Sequence, residues 1–255
     1  MALLTVERIK LFSTRSPWWC MVLAVVLTVG FTTLLVANTG DALPLTVSTT
    51  QAAHTFGLMV IMVMAALAIT TEYRFGTIKA TFQAVPNRTA VLVTKTIVVA
   101  ALAGVVGEIV AFASWGVARL VKPDANLALQ TAADWRNVAG VGLVYAGGAV
   151  LALGVGLLVR QTAAAVAAIL VWSLLVESLV GLIPTIGVKI QAWLPFMVAT
   201  HFLNGDQAAA TGGPGGGGAG SVDYAFGPWV SLLYFAGVAV AVLVIGIVSA
   251  NLRDA

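Results

Sequence analysis

The chain has 255 residues, of which 60% are hydrophobic and only 9% charged, with a mean hydropathy of +1.01. That balance excludes a water-soluble globular domain, and the single cysteine, Cys20, excludes an internal disulfide or a multi-cysteine metal site. The net charge of +3 is dispersed along the chain rather than gathered in a patch, so it reads as membrane orientation and not as nucleic-acid binding.

Apolar runs of roughly 18 or more residues recur, the length that carries a helix across a ~30 Å hydrocarbon layer. Lipid satisfies no backbone group, so each run must satisfy its own as a helix, and the runs do not alternate as barrel strands would. Residues 1–16 carry Glu7, Arg8, Lys10 and Arg15 ahead of the first run, 18–36. That run is too long for a signal peptide and no small-residue cleavage site follows, so a retained signal anchor is expected. On a helical wheel, Leu3, Leu4, Val6, Ile9, Leu11 and Phe12 scatter around most of the circumference, which gives little support to an amphipathic surface helix. Trp18 and Trp19 fit an interfacial aromatic belt.

Five more spans are expected at 54–71, 96–120, 137–158, 163–182 and 228–250. The predicted fold is therefore all-α: one polytopic transmembrane domain of six helices. Pro17, Pro44, Pro86, Pro123, Pro184, Pro195, Pro214 and Pro228 all fall outside the span interiors. With both termini in the cytoplasm, nine of the thirteen basic residues lie inside, against four (Arg119, Lys122, Arg136 and Lys189) outside. The external connection 183–227 contains IQAWLPFMVATHFL, too short to span and broken by Pro195, which predicts a re-entrant or surface-lying helical pair. The following TGGPGGGGAGS reads as a flexible tether, not a phosphate-binding loop, because no Gly-Lys-Ser/Thr follows.

The stretch 70–95, TTEYRFGTIKATFQAVPNRTAVLVTK, concentrates Glu72, Arg74, Lys79, Arg88 and Lys95 between two spans. Gly76 and Pro86 delimit a short helix there. It reads either as a solvated loop obeying the positive-inside rule or as a docking surface for a soluble partner.

No catalytic constellation is present: HExxH, GxSxG and Walker motifs are absent, and His54 and His201, both on the outer face, lack companion ligands. His201 reads as an interfacial polar anchor. Glu108, near the middle of the third span, must be protonated, paired or turned toward protein or water. It faces either a translocation path or subunit interface, or a packing contact with a hydroxyl such as Ser173. Glu177, near the outer end of the fifth span, can reach the interface. Gly148, Ala152 and Gly156 form a small-xxx-small face that packs helices within one bundle or between subunits, and Gly104 and Gly107 share that ambiguity.

ERIKLFSTRSPWW, and TEYRFGT followed by Pro86, Arg88 and Lys95, resemble the amino-terminal approach and the second cytoplasmic loop of actinobacterial ABC-2-type permeases. The resemblance implies the membrane subunit of an ATP-driven exporter of a drug-like or lipid amphiphile in the bacterial plasma membrane. It implies a second permease copy or paralogue and a separate nucleotide-binding subunit, which would hold the ATP and Mg. On this view the chain itself binds no cofactor and is not an enzyme. A coupling helix would lie within residues 72–82, with Glu72, Tyr73, Arg74, Gly76, Thr77, Lys79 and Phe82 serving contact with the ATPase, and the amino-terminal segment would run along the inner membrane surface. An ion-coupled transporter and a non-transport membrane scaffold or resistance protein are the competing readings.

Overall fold

The computed structural model of the chain describes residues 2–39, 45–85, 87–184, 186–205 and 224–253. The helices in chain order are α1 (Ala2–Ser13), α2 (Arg15–Asn38), the single turn α3 (Val47–Thr50), α4 (His54–Arg74), α5 (Thr77–Ala84), α6 (Arg88–Val121) and α7 (Ala132–Val159). Next, α8 (Thr162–Val171) runs through a π-helical turn (Trp172–Val176) into α9 (Glu177–Val180). The chain closes with α10 (Gly187–Gln191), α11 (Pro195–Asn204) and α12 (Pro228–Arg253). The glycine-rich stretch 211–221 lies outside the described residues. Among the described residues, six units, α2, α4, α6, α7, α8–α9 and α12, are long and apolar enough to cross a membrane, so the chain is a multi-pass all-α membrane protein.

The helices extend past the apolar runs because caps, not hydropathy, decide where they end. Asn87 Oδ1 accepts the Ala90 N–H at 3.0 Å, so α6 starts at Arg88 and carries Lys95 inside the helix rather than on a loop. At α7, Thr131 Oγ1 accepts the Asp134 N–H at 3.1 Å while Asp134 Oδ2 accepts the Thr131 N–H at 2.9 Å, a reciprocal capping box. Glu72 likewise belongs to α4, which continues to Arg74 before Gly76, at φ 70°, turns the chain into α5.

The centre of the bundle is α7, 67% buried along its apolar stretch against 17% for α8–α9. Glycines on several of its faces let neighbours approach. A Cβ on Gly148 would overlap Leu58 of α4, one on Gly156 would overlap Ile69 of α4, and one on Gly154 would sit 2.7 Å from the Leu243 backbone nitrogen of α12. The Gly148, Ala152, Gly156 face is thus filled by α4 of the same chain.

Alternating spans define two ends. One gathers α1, α5, the α7–α8 turn and the last turns of α12; there Asn251 Nδ2 donates to Thr89 Oγ1 at 3.1 Å. Arg160 at this end adopts φ 60°, rare for a side-chain-bearing residue. That conformation ends α7 and lets its guanidinium donate to Ser249 O at 3.1 Å while covering the Tyr73 ring at 5.1 Å. The opposite end gathers α3, the α6–α7 connection, α10 and α11, where Asn137 Nδ2 reaches Asn204 Oδ1 at 3.0 Å.

Candidate functional site

Charges are scarce in this chain, and four of them meet at the α1/α5 end. Glu7 and Lys10 are three apart and share one face of α1. Glu72 projects from the last turns of α4, and Lys95 from the early turns of α6. Lys10 Nζ lies 3.2 Å from Glu7 Oε1 and 3.5 Å from Glu72 Oε1; Lys95 Nζ lies 2.9 Å from Glu72 Oε1 and donates to Glu7 Oε2. Each lysine therefore stands between two carboxylates, and the ring alternates in sign with no net charge. The Glu7, Lys95 and Glu72 side chains are 3%, 6% and 13% exposed and Lys10 is 35% exposed, so the ring is buried at three corners and open at the fourth, and the desolvation of the buried three is offset by their pairing. Lys10 also donates to Thr81 Oγ1 on α5 at 3.1 Å, which brings a fourth helix onto the ring. Beside it is a cavity of 310 Å³, bounded by the four charges, by Thr14 and Thr71, and by the apolar Leu11, Ala68 and Val98.

The ring explains why α1 looks poorly amphipathic on a wheel. Glu7 and Leu11 are buried and Lys10 half-buried against the bundle, while Leu4, Val6 and Ile9 are exposed. Ordinary surface helices turn charge to water; α1 turns much of its charge into the protein and aliphatic side chains outward.

Above the ring sits α5. Ile78 and Phe82, four apart, are buried against the bundle, and the Arg88 guanidinium covers the Phe82 ring at 5.5 Å. The outward side presents Arg74, Phe75, Gly76, Thr77, Lys79 and Gln83, with Phe75 71% exposed beneath the Arg74 guanidinium. The candidate coupling residues thus divide. Arg74, Gly76, Thr77 and Lys79 face outward, Tyr73 is half-buried under Arg160, Phe82 faces in, and Glu72 belongs to the ring.

Glu108 is half-buried on α6, and its carboxyl lies over Gly142 of α7, where a Cβ would overlap it. The packing contact with Ser173, one of the two alternatives, is not made: the Ser173 hydroxyl donates to Ile169 O at 2.8 Å and has Met59 Sδ 3.0 Å away. Gly107, one position earlier, is pressed against the Tyr145 ring, and the Tyr145 hydroxyl donates to His54 O at 2.8 Å. These glycines let a carboxyl and a phenol fit between α6 and α7.

At the opposite end, two readings from the sequence are corrected. Glu177 does not reach the protein surface; it is 0% exposed. Its carboxylate accepts the N–H groups of Phe196 at 3.1 Å and Met197 at 2.9 Å, the first turn of α11, and the Trp172 indole N–H at 3.1 Å. A carboxylate there meets free helix N–H groups and the positive end of the helix dipole. The π turn just before Glu177 inserts one residue and so rotates α9, with Glu177 at its start, by roughly 100°. His201 is not an interfacial anchor either. It is buried, bonded through Nδ1 to Ser231 Oγ at 2.8 Å, and its ring stacks on Tyr224 at 3.8 Å. Burial, and then the nearby charge of Glu177, push the Tyr224 phenol up to about 12.

Sequence reading missed Glu7, Lys10 and Lys95 as site residues and gave Glu177 too little weight. The available signal was their cost: a charge in or beside an apolar run must be paired or face water. Which partners they take depends on helix packing. Among the described residues, no group of three or more His, Cys, Asp or Glu side chains converges as metal ligands. No protein-family model matches the chain, and no curated protein matches its sequence.

Proposed function

We propose that the chain is the transmembrane subunit of an ATP-driven ABC exporter, paired with a second permease copy or a paralogue in a bacterial plasma membrane. The observation that carries this reading is α5 with the turn that leads into it: a short helix between two spans, anchored from below by Ile78 and Phe82 and presenting Thr77 and Lys79 outward beside Arg74 and Phe75 at the end of α4. An exposed aromatic beside two cations fits a protein partner better than a solvated loop. The partner is a nucleotide-binding subunit, which supplies the ATP and Mg. With α5 in the cytoplasm, both termini lie there too, and α10 and α11 face outside. The cargo is an amphiphile, a drug-like molecule or a lipid, for which a largely apolar bundle is a suitable host. ATP binding draws the two nucleotide-binding subunits together; α5 follows, and the spans rearrange because the two states differ in how tightly they hold α5.

The test is reconstitution in lipid with a candidate nucleotide-binding subunit, comparing wild type with Arg74→Glu plus Lys79→Glu. The expected result is association and cargo-stimulated ATP hydrolysis for wild type, and loss of association for the variant at unchanged expression. If no nucleotide-binding protein associates with the wild-type chain, the exporter reading falls.

A further inference from the structure

The four-charge ring ties together by polar contacts four helices, α1, α4, α5 and α6, that also share the apolar core through Leu11, Ile78 and Phe82. Lys10 touches three elements at once: its own helix through Glu7, α4 through Glu72 and α5 through Thr81. Lys95 adds α6. Only Thr14, in extended conformation, separates α1 from α2, so a displacement of α1 passes to the first span with little slack. The ring is closed and its charges satisfy one another, so the adjoining 310 Å³ cavity is less a ligand site than room in which the ring can shift without breaking.

From this geometry we infer that α1 moves together with α5. The ring of Glu7, Lys10, Glu72 and Lys95 yokes α1 to α5, so that a displacement of α5 reaches α2 through α1 as well as α4 and α6 directly. The inference rests on the exporter reading for what moves α5, but the yoke is a property of the chain alone. It has a signature that independent ion pairs would lack. Because the signs alternate around a closed ring, swapping one pair, Glu7→Lys with Lys95→Glu, sets a second cation beside Lys10 and a second carboxylate beside Glu72. Only inversion of all four members restores four attractive sides.

The experiment uses the full chain in lipid nanodiscs, with Cys20→Ser as background and spin labels on the exposed positions Arg8→Cys and Gln83→Cys. The expected inter-label distance distribution has a single population with the native ring. It splits or broadens in Lys10→Gln, which leaves the more buried Glu7–Lys95–Glu72 core in place, and in the one-pair swap. It returns to a single population in the four-fold inversion. An unchanged distribution in Lys10→Gln overturns the yoke, as does a four-fold inversion that behaves like the one-pair swap.

A second arm measures cargo transported per ATP hydrolysed with the nucleotide-binding subunit present. The yoke predicts a lower ratio in Lys10→Gln at unchanged subunit association; an unchanged ratio overturns the role of α1 in transmission. The distance measurement needs no ATPase, so failure of any nucleotide-binding subunit to associate sinks the exporter reading and leaves the yoke to be judged on the label distances.

Discussion

Lys95 on α6 donates to Glu72 on α4 at 2.9 Å, closing the hairpin that carries α5, and the same ammonium reaches back to Glu7 on α1. One buried cation thus fixes three helices that the sequence separates by 23 and 88 residues. Removing it leaves two carboxylates buried without their main partner. Lys95→Met is expected to cost about 3–5 kcal/mol of stability, the range for breaking one side of a buried ion pair. Lys10→Gln, at the more exposed corner, costs less. Unfolding in mixed micelles, followed by tryptophan fluorescence, reads both; equal losses for the two variants would contradict a buried ring.

The contact of Glu108 with Gly142 predicts a non-additive pair. Gly142→Ala drives a methyl group into the carboxyl, which must swing aside, and is expected to destabilise by at most about 1 kcal/mol, the low end for overpacking, because the atoms it meets belong to a flexible side chain. Where Glu108 is already alanine, the same methyl meets no carboxyl, and the cost of Gly142→Ala drops. A double-mutant cycle on purified protein measures the coupling, and simple additivity of the two substitutions would place Glu108 away from α7.

At the other end, Glu177 holds the first turn of α11 by two backbone N–H groups. Glu177→Leu keeps bulk but removes the acceptors, so amide hydrogen exchange at Phe196 and Met197 is expected to rise sharply while α6 and α7 stay protected. Glu177→Gln keeps one acceptor oxygen and is expected to fall between. If exchange at these two amides is the same in all three proteins, the carboxylate is not what docks α11.

The small-residue face of α7 is filled by α4 of the same chain, which separates folding from assembly. Gly148→Leu forces a large side chain against Leu58 and Met62 and is expected to lower the midpoint of thermal unfolding. Oligomer size by native mass spectrometry is expected to stay as in wild type wherever the variant remains folded. Loss of a dimer with unchanged thermal stability would reassign the face to a subunit contact.

Much of the architecture is legible in the sequence because lipid leaves few options. An apolar run of sufficient length must be a helix, so the six spans, the helix between Gly76 and Pro86 and the broken pair around Pro195 follow from local rules. Charge partners do not follow. Glu7 and Lys10 look like spoilers of an amphipathic helix until α4 and α6 are placed beside them, and Lys95 looks like a loop residue until the Asn87 cap draws it into α6. Glu177 looks close enough to the surface to escape until a π turn redirects it onto α11.

What the sequence by itself determined is therefore the solvent, the class of fold and the number of crossings, since these depend on hydropathy and run length, which each segment carries alone. Only the tertiary structure decided that two glutamates and two lysines close a ring, that Glu108 lies on Gly142, and that the α7 glycines face α4, α6 and α12. Those are relations between segments far apart in the chain. In a low-dielectric interior a charge takes whichever partner the packing brings within reach, and periodicity within one segment does not reveal which segment that will be.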